Sequence, residues 1–320
     1  MRLTRSVVAF AVLSCAVWYA GPVSAQRPTP VASDSAEIDV LPVQGAIHMI
    51  VTGGSNIAVQ VGEVGALLVD SGNVEASAQV VAAVQNLTDM PVRFVINTSV
   101  QPGHLGGNKA LFDIGAAMPG TSQSLGMPIV GHQNGVNRLA AGGLGDVPVD
   151  LWPFNTFFGL RKTLYVNGES LELLHQPAAI SDADVMVYFR RSDVLVTGDV
   201  FNTTSYPHFD AAQGGSLQGV IDALNGIIDL TIPAFNQQGG TLVVPGHGRI
   251  ASESDVVEYR DMLTIVRDRV LAMIEAGLSF EDVVAAQPSL EYDGLYGSES
   301  GPWTTRMFLE AVYDDLRSDR

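Results

Sequence analysis

The chain has 320 residues, 47% of them hydrophobic, enough to fill a sizeable core in one large domain or two ordinary ones. Lys and Arg number 17 against 34 for Asp and Glu, a formal net charge of −17. That balance argues against nucleic acid and against an anionic lipid surface, both of which need a basic face. Only 16% of residues are charged and 33 are glycine, so the chain reads as compact and loop-rich, not disordered.

The first 25 residues read as a secretory signal peptide. Arg2 and Arg5 precede an apolar run from Val7 to Ala20, and Val23-Ser24-Ala25 supplies small residues before Gln26. The run is shorter than the roughly 20 residues that span a bilayer, so it predicts no stable membrane anchor after cleavage. Cleavage after Ala25 removes two arginines and no acidic residue, leaving 295 residues with a net charge of −19. It also removes the single cysteine, Cys15, so the mature chain is expected to be secreted or periplasmic and free of thiols.

Residues 26–40, polar with two prolines, read as a linker, and residues 41–320 as one domain. Short β-branched runs at 46–51, 57–61 and 66–69 are separated by glycine turns and predict strands. Val74, Val80, Val81, Val84 and Leu87 approximate a helical period, followed by a strand at 93–97 and a loop at 98–107 that leads into a helix. Further strands are expected at 162–166, 170–174, 185–189, 193–197 and 241–244, with a helix at 217–230 between the last two. Helices near 252–276, 279–286 and 302–317 form a C-terminal extension over 252–320. Two sets of strands, each followed by helices, predict two facing sheets with helices outside. The aromatic run Leu151-Trp152-Pro153-Phe154-Asn155-Thr156-Phe157-Phe158 serves either as core packing or as the wall of a pocket. The glycine run at 141–145 reads as a crossover.

Three loops present polar side chains at strand ends, where chemistry concentrates. They are Asn97-Thr98-Ser99-Val100-Gln101-Pro102-Gly103-His104, Thr197-Gly198-Asp199 and Val244-Pro245-Gly246-His247-Gly248. With Asn56 and the strand end Val69-Asp70-Ser71-Gly72, this ordered set resembles the metallo-β-lactamase superfamily across about residues 46–250. The resemblance implies an α/β fold, a four-layer αββα sandwich with a metal site along one edge.

It also implies that the usual ligand set is depleted. The family's loop Thr-His-x-His-x-Asp-His falls on Thr98 to His104, with Ser99, Gln101 and Gly103 at three ligand positions. A further His position falls on Ile180. His104, Asp199 and His247 remain, and Asp199 and His104 are also the residues expected to act in catalysis. Two imidazoles and a carboxylate suit one zinc ion at most, or ferrous iron or manganese. A bound metal would acidify its water for attack on an ester, thioester or lactam carbonyl of a small molecule. The rival expectation is a metal-free binding or regulatory protein, favoured by the apolar Ile180.

His48 reads as a sheet histidine, His132 as a cap or packing residue, and His175 as a neighbour of the Ile180 loop. His208, with Ser99 and Gln101, is a candidate for contact with substrate. Asp184 matches the family's structural Asp, and Asp182 is a remote substitute ligand.

Overall fold

The computed structural model describes residues 38–142 and 147–318. The expected signal peptide, most of the linker and part of the glycine crossover lie outside these residues. In the first half, strands β1 (Asp39–Gln44), β2 (Ile47–Val51), β3 (Asn56–Gly62) and β4 (Gly65–Val69) form an antiparallel meander. Helix α1 (Ser77–Leu87) then crosses to β5 (Val92–Ile96), which lies parallel to β4. Helices α2 (Pro102–Leu105) and α3 (Asn108–Ile114) lead to β6 (Ile129–His132), and α4 (Gln133–Ala140) to β7 (Asn155–Phe157). These seven strands run in sequence order across one sheet, the last pairs parallel.

The second sheet has the order β12-β11-β10-β9-β8. Its members are β8 (Arg161–Val166), β9 (Glu169–Gln176), β10 (Asp184–Phe189), β11 (Val194–Gly198) and β12 (Leu242–Pro245). Only β11 and β12 are parallel, because α5 (Leu217–Leu230) carries the chain over between them. Helices α6 (Glu253–Glu275), α7 (Phe280–Ala286), α8 (Asp293–Tyr296) and α9 (Thr305–Ser318) complete the chain. No helix among the described residues is long and apolar enough to cross a membrane.

Strand alternation explains the layers. In β4, Leu67 and Val69 join Ile96, Leu173, Val187 and Val196 in a core between the two sheets. Ala66 and Leu68 point the other way, onto Val80 and Val84 of α1. Met186 and Leu195 likewise turn outward onto α5 and α6 through Val220, Leu224, Val256 and Leu263. Central strands are therefore buried on both faces and read as continuous apolar runs. The result is helix, sheet, sheet, helix, as the two sets of strands predict.

Differences are confined to short elements. β1 begins at Asp39, inside the stretch read as linker, and β7 has only three residues in an aromatic, proline-containing run. β1 is an exposed edge strand without a buried face to set a period, β7 is too short to display one, and pairing with a neighbour creates both. The four-residue α8 is a further addition within the C-terminal extension.

Candidate metal centre

Every polar loop of interest follows the carboxyl end of a parallel strand: Asp70 after β4, Thr98 after β5, Asp199 after β11 and His247 after β12. Side chains beyond such strand ends share one edge of the sandwich, which brings together residues far apart in sequence.

Asp70 is the hub of the first half. It is 1% exposed and has φ of +67°, a left-handed conformation that costs a non-glycine residue roughly 1–2 kcal/mol. The carboxylate repays that strain with three partners. Its Oδ1 accepts the Thr98 backbone N–H at 2.7 Å, and its Oδ2 accepts the Thr98 hydroxyl at 2.6 Å. Oδ2 also lies 2.9 Å from His104 Nδ1. The His104 carbonyl is held in turn by the Ser71 N–H, the Ser71 hydroxyl and the Asn97 amide. Gly107 permits this close approach, since a Cβ there would strike the carbonyl of Ser71.

With Nδ1 directed to Asp70, His104 presents Nε2 to Asp199, 2.9 Å from Oδ2. His247 Nε2 reaches the other oxygen, Oδ1, at 3.2 Å. That approach lacks hydrogen-bond geometry, and Oδ1 is a buried oxygen without a hydrogen-bond partner among the described residues. Gly198 makes the turn: its φ is +54°, and a Cβ would meet the Thr98 hydroxyl at 2.5 Å. The His247 loop is clamped by Asn56, whose amide donates to the carbonyls of Pro245 and Gly248 at 2.9 Å each.

Electrostatics follow from this chain of contacts. Burial disfavours the His104 cation, but the carboxylates of Asp199 and Asp70 outweigh it and hold its pKa well above the usual value. Burial would raise Asp199, yet His104 and then His247 hold its carboxyl far below the ordinary range. Asp184 is different. Its burial, reinforced by the charge of Asp199, pushes it up to about 7 against two hydrogen bonds from Ser181.

The ligand atoms of His104, Asp199 and His247 lie within 4.8 Å of one another. The set fits a divalent cation. It offers two imidazole nitrogens and a carboxylate, with Asp199 Oδ1 accepting no hydrogen bond among the described residues 3.2 Å from His247 Nε2 and Asp70 orienting His104 from behind.

The other residues singled out in the sequence are not among these three. Ser99 is buried and its hydroxyl accepts the Gln101 N–H, while Gln101 stands at the N-terminal boundary of α2 without a side-chain capping bond, so both belong to the turn that carries His104. Ile180 is 2% exposed and packs in the outer core with Met186, Val200 and Leu217, and its side chain offers no ligand atom. His132 caps α4, accepting the Asn134 N–H, and stacks on His175 at 3.6 Å. Burial and the neighbouring His175 lower its pKa to about 4. His175 donates to the Asp182 carbonyl, and Asp182 pairs with Arg138, so neither joins the centre. His48 lies on β2, as expected of a sheet histidine.

His208 stacks on Trp303 of the C-terminal extension at 4.0 Å. Packing lowers its pKa against the opposing charges of Asp210 and Asp199. The roles of Asp70 and Trp303 are additions to the sequence reading. The first had a signal, an acidic residue ending an apolar strand; the second had none.

Residues 50–247 match the Metallo-beta-lactamase superfamily, and the chain belongs to that superfamily. It is 23% identical over 256 residues to the linear primary-alkylsulfatase of Pseudomonas sp. (strain ATCC 19151), covering 69% of this chain and 47% of that protein. The chain thus spans about half the length of this curated relative. The stereoselective inverting sec-alkylsulfatase from Pseudomonas sp. superposes with a TM-score of 0.63 at 13% identity, over 87% of this chain and 50% of that one. A metallo-beta-lactamase from Pontibacter korlensis gives 0.54 at 18% identity, over 71% of this chain and 99% of that one. These likenesses establish the fold.

Proposed function

We propose that this chain is a secreted hydrolase of small molecules that works with one metal ion, zinc by preference, held by His104, Asp199 and His247. One observation carries the reading: three ligand atoms converge within 4.8 Å, one of them bonded to a carboxylate whose second oxygen lacks a hydrogen-bond partner. A divalent ion there supplies an acidified water and a Lewis acid for a polarised bond. The protein's own contribution is orientation. Asp70 holds a His104 proton on Nδ1, so that Nε2 is the nitrogen turned to Asp199 and to a bound ion, and Asn56 keeps His247 on its loop. His208, stacked on Trp303, is the residue we assign to contact with substrate. The scissile bond is an ester, thioester or lactam, and the alkylsulfatase relatives extend that class to sulfate esters. Export follows cleavage after Ala25, which N-terminal sequencing of the mature protein checks.

A second reading has its own support. In the absence of metal, His104 is clasped between two carboxylates at 2.9 Å each, so a proton satisfies the centre, and Ile180 is committed to the core. The protein is then a metal-free binding module. Metal content separates the two, compared between the protein purified without chelator and a His104→Ala/His247→Ala variant. Stoichiometric metal lost in the variant supports the hydrolase. Absence of metal from both, with zinc leaving thermal stability unchanged, refutes it.

A further inference from the structure

The metal centre leaves the aromatic run at 151–158 without a role. Phe154 is 57% exposed, stands edge-on to Phe112 at 5.7 Å, and walls a cleft of about 450 Å³. The cleft lies where β7 and β8, the outer strands of the two sheets on one side, leave the sandwich open. Phe94, Met118, Leu125 and Leu164 line it with Phe154, and none of the metal ligands does. Its size is that of a small-ligand pocket, which is mostly apolar with a few polar groups that orient the ligand.

Among the described residues one charge lines this cleft: Lys162. In β8, exposure alternates, and Lys162 shares the inward register with Leu164 and Val166. Its ammonium has no carboxylate partner among the described residues, whereas Arg161 beside it pairs with Glu172. In a chain of net charge −17, no carboxylate among the described residues lines the cleft. An inward charge on an edge strand can also deter strand addition. That role needs only the charge; it gives no reason for an apolar hollow free of acidic groups around it.

We propose that this cleft binds an aliphatic monoanion of medium chain length, its tail among Phe94, Met118, Leu125, Phe154 and Leu164 and its oxyanion head on Lys162. The complementarity has two parts, and each has a numerical signature. Burying a methylene contributes about a fourfold gain in affinity, so shortening the tail by two carbons weakens binding about fifteenfold. A partly exposed ammonium–carboxylate contact contributes up to about fivefold.

The test is calorimetric titration of the full chain with octanoate, hexanoate and 1-octanol. Octanoate is expected to bind saturably and hexanoate about fifteenfold more weakly. Lys162→Met should weaken octanoate about fivefold while leaving 1-octanol unchanged, and Phe154→Ser should weaken both. The His104→Ala/His247→Ala variant should bind octanoate like the parent, so the result stands apart from the metal reading. Thermal melting of each variant checks its fold. Octanoate without saturable binding, or binding indifferent to both Lys162→Met and Phe154→Ser, overturns the proposal. So does a dimer that Phe154→Ser dissociates and octanoate leaves intact, because a second copy then fills the cleft.

Discussion

Replacing Asp70 by Asn tests whether the buried carboxylate sets the state of His104. The change is isosteric and removes one charge at a residue 1% exposed. The Asn carbonyl can still accept the Thr98 N–H, as Oδ1 does at 2.7 Å. Its amide nitrogen then faces the Thr98 hydroxyl and His104 Nδ1, which Oδ2 now meets at 2.6 and 2.9 Å. Two donors cannot satisfy each other, so Nδ1 must give up its proton and become an acceptor, which leaves His104 protonated on Nε2 alone. That proton then points at Asp199 and occupies the lone pair a metal would use. Stability should fall by about 1.5–3 kcal/mol, the range for a hydrogen bond to a charged group. Zinc affinity should fall at least about 10–100-fold, the usual cost of removing an orienting partner. Competition with a chromophoric chelator measures the affinity, urea unfolding the stability, and nitrogen NMR of the imidazole the tautomer. Zinc affinity within threefold of the parent, with Nδ1 still protonated, would refute the reasoning.

Three further outcomes are expected. Gly103→Asp should strengthen zinc binding at least about tenfold without lowering the melting temperature, since a Cβ there meets nothing within 4 Å; isothermal titration and a melting curve check both parts. Asp184 has its folded pKa raised to about 7, so it stays protonated in the folded state while the unfolded chain ionises near 4. Stability should therefore fall as pH rises from about 4 to about 7, and Asp184→Asn should flatten that part of the profile. Urea unfolding of both proteins with chelator present measures it, and equal slopes would show that Asp184 is not the group responsible. Trp303→Ala should return the His208 pKa towards its ordinary value by exposing the ring, read from the proton NMR titration of His208.

Much of the architecture was legible because burial imposes periodicity. Strands buried on both faces read as short apolar runs, and α5 displayed its buried stripe of Val220, Ile221, Leu224 and Ile227. Segments whose structure comes from a neighbour were not legible: β1 leans on β2, and β7 pairs with β6 over three residues. The same holds at the centre. His104, Asp199 and His247 stand out in sequence because each ends or follows a strand in a glycine turn. Ile180 betrays only that a ligand is missing; that its side chain fills the outer core is a fact of packing.

The sequence alone determined the residue types at the site, the absence of a thiolate after residue 15, and an acidic balance unsuited to phosphate backbones. Tertiary structure decided which groups meet. Asp70 and His104 are 34 residues apart and Asp199 another 95 beyond, yet they form one line of contacts because parallel strands end on the same edge. Geometry of that kind arises from strand order and turn conformation. Neither is written in the spacing of the residues, because a contact between distant segments depends on how the whole chain packs.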